Sequence, residues 1–211
     1  EELNPVFSAG TMNFTDLAEA VSYAEDNSIA IISLASDGIL TGSYTIPVGM
    51  TLLIPFDESN TCYTTTPVCL QNSAGAQKAF RTLTMGEGAS LSVEGGLSVG
   101  GQYKAAAGSS AGFMTGNYGY INMKEGSSIS VRDGGALYAW GFISGNGFVN
   151  VESGGDVYEW FQIADFRGGE ASLGIRHGVF YFSQYFVQNI EVPLTIQAGA
   201  SENVYTGIYA I

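Results

Sequence analysis

The chain has 211 residues, 45% of them hydrophobic and 13% charged, with 29 glycines and a formal net charge of −13. That is enough apolar material to bury a core and too apolar a composition for a disordered chain. Nine Asp or Glu and no Lys or Arg precede Lys78, which argues against nucleic acid and against an anionic membrane surface as partners.

The opening residues, "EELNPVFSAG", carry no signal-peptide pattern and read as the start of a mature or a truncated chain. "FTDLAEAVSYAEDNS" predicts a helix over 13–27, capped by Thr15 or Asn13. Asp16 and Glu19 suit its first turn, and Leu17, Ala20, Val21 and Ala24 form an apolar stripe. "IAIISLASDG" reads as a buried strand, and "GSYTIPVGMTLLIPF" as two strands broken at Pro47-Val48-Gly49. Cys62 and Cys69 follow; a disulfide there would close a short loop and contribute about 2.5 kcal/mol on the chain-entropy model, the alternative being a pair of buried thiols. No apolar run is long enough to span a membrane as a helix.

The order of these elements over residues 14–56 resembles the entry into right-handed parallel β-helices of the pectate-lyase-like superfold. The resemblance implies that the helix covers the open end of a solenoid, whose first turn would otherwise expose an apolar cross-section.

An octet then recurs. Met85-Gly-Glu-Gly-Ala-Ser-Leu-Ser92, Met123-Lys-Glu-Gly-Ser-Ser-Ile-Ser130, Val131-Arg-Asp-Gly-Gly-Ala-Leu-Tyr138 and Val151-Glu-Ser-Gly-Gly-Asp-Val-Tyr158 share one pattern. It reads as strand, glycine turn, strand, with the first and seventh residues inward and the eighth outward. Val131 and Val151 are 20 residues apart, as are Leu137 and Val157, and a fixed period near 20 is what stacked solenoid turns produce. The spacing from Gly88 to Gly126 is longer, and the excess falls in a small-residue stretch read as an inserted loop over 101–119. The length leaves room for about seven turns, each rising about 4.8 Å. Residues 183–211 read as terminal strands or a cap, and 1–211 as one domain.

Few residues offer chemistry. His177 is the one histidine and has no nucleophile motif beside it. Asp57-Glu58, and Asp156, Glu159 and Asp165 near Arg167, are acidic groups of the kind that β-helical glycosidases and lyases use, yet in so acidic a chain solvated surface acids are the better account of them. No metal-binding loop and no cofactor motif is present. The aromatic residues are more telling. Tyr138 and Trp140 share the outward parity, and Tyr158 and Trp160 repeat them 20 residues on. Phe180 and Phe182 extend the series, so the reading predicts two aromatic columns on one flank. Such columns suit sugar rings, a protein surface or internal packing. The candidate ligand-binding residues are Tyr138, Trp140, Tyr158, Trp160, Phe180 and Phe182, with Asn150, Asp156 and Glu159 as polar partners.

"TDLAEAVSYA", "YTIPVGMTLLIPFD", "CYTTTP", "SGGDVYEWFQIADFRGG" and "FSQYFVQNIEVPLTI" together resemble β-solenoid segments of surface proteins from Gram-positive, gut-type bacteria. The expected fold is all-β, a right-handed parallel β-helix with an N-terminal capping α-helix. The expected role is a non-catalytic extracellular module, secreted or attached to the cell wall, acting as stalk or adhesin. Its expected partners are glycans or another surface-protein domain. The alternative is a polysaccharide lyase or glycoside hydrolase of the β-helix kind.

Overall fold

The computed structural model describes residues 4–54, 81–100, 119–139, 141–163, 174–176, 179–181, 186–188 and 190–207. Two strands absent from the sequence reading come first: β1 (Val6–Ala9) and β2 (Met12–Phe14), an antiparallel hairpin. Alternation within β1 buries Phe7 and Ala9 completely, a signal too short to separate from loop in the sequence. Helix α1 (Leu17–Asp26) follows and buries Leu17, Ala20 and Ala24. Its N-cap is Asp16, which takes the role expected of Thr15 or Asn13: Asp16 is extended (φ −120°, ψ 132°) and accepts the Glu19 backbone N–H at 3.0 Å. The other oxygen of the same carboxylate accepts the Tyr44 hydroxyl at 3.4 Å. Burial first, then the Asp16 charge and this hydrogen bond, raise the Tyr44 pKa above the ordinary phenol value.

From here the chain visits three sheets in rotation. The first holds β3 (Ile31–Ser36), β6 (Thr51–Ile54), β9 (Gly96–Val99), β12 (Ala136–Ala139), β15 (Asp156–Ile163) and β20 (Ser201–Gly207). The second holds β4 (Gly38–Leu40), β7 (Thr82–Met85), β10 (Tyr120–Met123) and β13 (Phe142–Gly145), joined by a single bridge from Ile143 to Ile190. The third holds β5 (Ser43–Ile46), β8 (Ser90–Val93), β11 (Ser128–Val131), β14 (Phe148–Val151) and β19 (Leu194–Ile196). Every pairing among these strands is parallel. Over the described residues the protein is therefore a predominantly β, solenoid-like fold with one short helix. Helix α1 packs against β1, β3 and β5, and β1 pairs antiparallel with β3.

The expected register holds in the middle of the chain. Val131 pairs with Val151, Leu137 with Val157 and Tyr138 with Tyr158. Each octet is one corner of the path. Met85–Ser92 and Met123–Ser130 turn the chain from the second sheet to the third, whereas Val131–Tyr138 and Val151–Tyr158 turn it from the third to the first. Residues 123–138 are a doubled octet because two consecutive corners share one design. The fourth residue, Gly88, Gly126, Gly134 or Gly154, has φ between 66° and 82°, which costs a residue with a Cβ about 1–2 kcal/mol. Ile46–Leu53 and Ile196–Asn203 fit the same frame, with Gly49 and Gly199 at φ 82° and 89°. The sequence reading missed these two copies because Pro47-Val48 and Gln197-Ala198 replace the acidic step.

Inward residues of successive turns form one continuous core, including Leu83, Leu91, Leu97, Ile121, Ile129, Leu137, Ile143, Val149 and Val157, each at most 1% exposed. The third sheet has five strands, so the described residues make about five turns where the length suggested about seven. The difference lies in the opening hairpin and in long connections. On the outside of one octet corner, Arg132 donates to Glu152 one turn on and to Ser92 one turn back. The bond to Glu152 raises the Arg132 pKa further. This pair is exposed, so it contributes about 1 kcal/mol at most.

Candidate functional site

The third corner, from the first sheet to the second, is built differently. Here the path runs from β6 through residues 55–80 to β7, and from β9 through 101–118 to β10. It runs from β15 through 164–189 to the bridge at Ile190. The link is short between β3 and β4, where Asp37 alone separates the strands, and between β12 and β13, where Gly141 lies so close to the Gly119 carbonyl that a side chain has no room. The long connections of the repeat thus all leave at one corner. The expected insertion at 101–119 is one of them, and apart from Gly119 it lies outside the described residues.

Two aromatic ladders flank this corner. On the first sheet Tyr138 stacks on Tyr158, with ring centroids 4.9 Å apart and planes 15° from parallel. On the second, Tyr120 stacks on Phe142 at 5.5 Å and 17°. Both arise from register, since Tyr138 pairs with Tyr158 and Tyr120 with Phe142 across adjacent strands. Offset stacking of this kind contributes about 0.5–1.5 kcal/mol beyond burial. The second ladder was missed in the sequence. Its signal is the repeated Gly-aromatic-Ile at Gly119-Tyr120-Ile121 and Gly141-Phe142-Ile143.

The first ladder carries a correction. The sequence reading offers ring faces to a ligand, but Tyr138 and Tyr158 turn a face to each other. The column also does not run on to Phe180. Phe180 lies on β17 (Val179–Tyr181), which pairs antiparallel with β16 (Gly174–Arg176). The residue in register beyond Tyr158 is Asn203. One turn before Tyr138 stands Ser98. Strand β18 (Phe186–Gln188) pairs antiparallel with the end of β15. The connection 164–189 breaks the 20-residue period, and extrapolating that period produces the misplacement.

The polar candidates do not gather. Asp156 faces outward on the same strand face as Tyr158, opposite Ala136 and Ser201. Glu159 has the opposite parity, pairs with Ala139 and is fully buried, so it faces the interior and does not join Asp156 on the surface. Asn150 belongs to the third sheet, where its side-chain oxygen accepts from Gln197 Nε2 at 3.3 Å. Trp160 lies on β15, its backbone in register with Tyr205. Trp140, Phe182, Cys62, Cys69, His177, Asp57, Glu58, Asp165 and Arg167 lie outside the described residues. Among the described residues no group of three or more His, Cys, Asp or Glu is placed to hold a metal ion. No described helix is long and apolar enough to cross a membrane. No protein-family model, curated protein or solved structure matches the chain.

Proposed function

We propose that the chain is a stretch of right-handed parallel β-helix in a secreted or wall-attached bacterial protein. In this reading it acts as a non-catalytic module, a stalk or adhesin that holds glycans at the corner between the first and second sheets. Right-handedness is the near-universal sense of parallel crossovers. The observation that carries the functional part is the concentration of long connections at one corner, flanked by the Tyr138–Tyr158 and Tyr120–Phe142 ladders. In repeat folds the insertions collect on one face, and that face is often the one that binds. Stacked aromatic rings on a rigid sheet give apolar contact area at little entropic cost. The net charge of −13 favours neutral glycans over polyanionic ones.

A glycan array with the purified chain tests this. The expected outcome is binding to neutral glycans that falls at least tenfold in a Tyr138→Ala, Tyr158→Ala double variant with unchanged circular dichroism. No binding by the parent chain, or equal binding by the variant, removes the glycan reading. Release of reducing ends or unsaturated products from any polysaccharide would replace it with the enzymatic one.

A further inference from the structure

Two residues, Asn146 and Gly147, link β13 to β14, where four link β7 to β8 and β10 to β11. They are the one Asn-Gly pair in the chain. Packing fixes the glycine. A Cβ on Gly147 would lie 2.7 Å from Met123 Cβ and from the Ser127 carbonyl oxygen, so a side chain has no room there. Asn146 is exposed. Its backbone N–H donates to the Met123 carbonyl at 2.7 Å, and the Phe148 N–H donates to the Ser127 carbonyl at 3.1 Å. The Gly147 N–H between them makes no backbone hydrogen bond among the described residues.

Other asparagine side chains are held. Asn27 Nδ2 donates to the Tyr23 carbonyl at 2.8 Å, Asn150 Oδ1 accepts from Gln197 at 3.3 Å, and Asn203 Nδ2 donates to the Val157 carbonyl at 3.4 Å. The Asn146 carboxamide enters no hydrogen bond of this kind among the described residues. Asn122 and Asn150 also lie inside strands, ahead of Met123 and Val151, whose side chains crowd their own backbone nitrogens.

We propose that Asn146-Gly147 is a self-modification site, where the backbone of the chain converts Asn146 to aspartate and isoaspartate. The Gly147 nitrogen gives up its proton to solvent and attacks Asn146 Cγ. An N–Cγ bond forms, the Cγ–Nδ2 bond breaks, and the side-chain nitrogen takes a proton from water and leaves as ammonia. Water then opens the five-membered imide. Attack at Cγ gives aspartate, and attack at the Asn146 backbone carbonyl carbon gives isoaspartate. Glycine on the carboxyl side favours the first step, because no Cβ stands beside the attacking nitrogen. Either product adds one negative charge to a chain of net charge −13. Lys124 and Asn146 follow the paired residues Met123 and Gly145, so the new carboxylate lies one turn from an ammonium group. This inference is independent of the glycan reading.

The test incubates the folded parent chain and N146Q in warm, mildly alkaline buffer, beside a sample of the parent chain in urea. Tryptic peptides are followed by mass spectrometry with fragmentation, and isoaspartate in each is counted by enzymatic methylation. In the folded parent chain, conversion at Asn146 is expected to run roughly tenfold faster than at Asn122 or Asn150. The isoaspartate signal of that peptide is expected to disappear in N146Q, whose circular dichroism matches the parent. Equal rates at the three asparagines of the folded chain overturn the proposal. So does conversion of Asn146 in urea alone, or an isoaspartate signal in that peptide that N146Q retains.

Discussion

Two corners of each turn and the third corner obey different rules. At the first two, eight residues or fewer suffice, and six of these corners carry a glycine with positive φ in the fourth place, flanked in five of them by residues that enter the core. At the third, the sequence between strands changes length from turn to turn, and aromatic residues line up on both sides. The comparison teaches where the fold is specified. Close-packed corners set rise and register, so the stack persists while the third corner is free to vary. That corner is where a repeat protein can acquire a ligand without disturbing its core.

The comparison breaks most readily at a residue held between two tight corners. Ile129, on β11, lies between the turns of the two octets of residues 123–138 and is fully buried. Ile129→Ala is expected to lower unfolding free energy by about 2–5 kcal/mol in urea denaturation, through lost burial and a residual cavity. A loss well under 1 kcal/mol, typical of an exposed position, would mean that these corners do not set the core. A smaller effect sharpens the point. Gly134 has φ 76° and open space where a Cβ would sit, so strain alone opposes a side chain there. Gly134→Ala should cost about 1–2 kcal/mol. If its cost equalled that of Ile129→Ala, packing would have to explain the glycine instead.

Much of this architecture was legible because the octet binds chemistry to position. An aliphatic before the turn, glycine within it and an aliphatic after it can be aligned by eye, and the 20-residue spacing then places Val131 against Val151. The pattern failed where the period was interrupted. Residues 164–189 insert an unequal length before β19, so the true partner of Val157 is Glu202 and no simple count reaches it. The cap was half legible: helix periodicity revealed α1, but four-residue β1 and three-residue β2 carry too few alternations to announce themselves. Side-chain direction was legible by parity alone. Parity gave the Tyr138–Tyr158 pair and would have placed Glu159 inside had it been applied to that residue as well. What parity does not encode is which way a ring turns, and so the stacked geometry had to come from coordinates.

Register between adjacent turns is the claim on which site and corners both rest, and cross-linking measures it directly. Ser130 and Asn150 face outward from the third sheet as partners, while Ser128 is paired with Phe148 instead. In a background with Cys62 and Cys69 replaced by serine, Ser130→Cys with Asn150→Cys places the two Cα atoms about 4.8 Å apart, within disulfide reach. The account predicts that this pair oxidises rapidly and near completely, while Ser128→Cys with Asn150→Cys, diagonal in the same sheet, does not. Efficient cross-linking of the diagonal pair with none in the in-register pair would contradict the stacking of the turns.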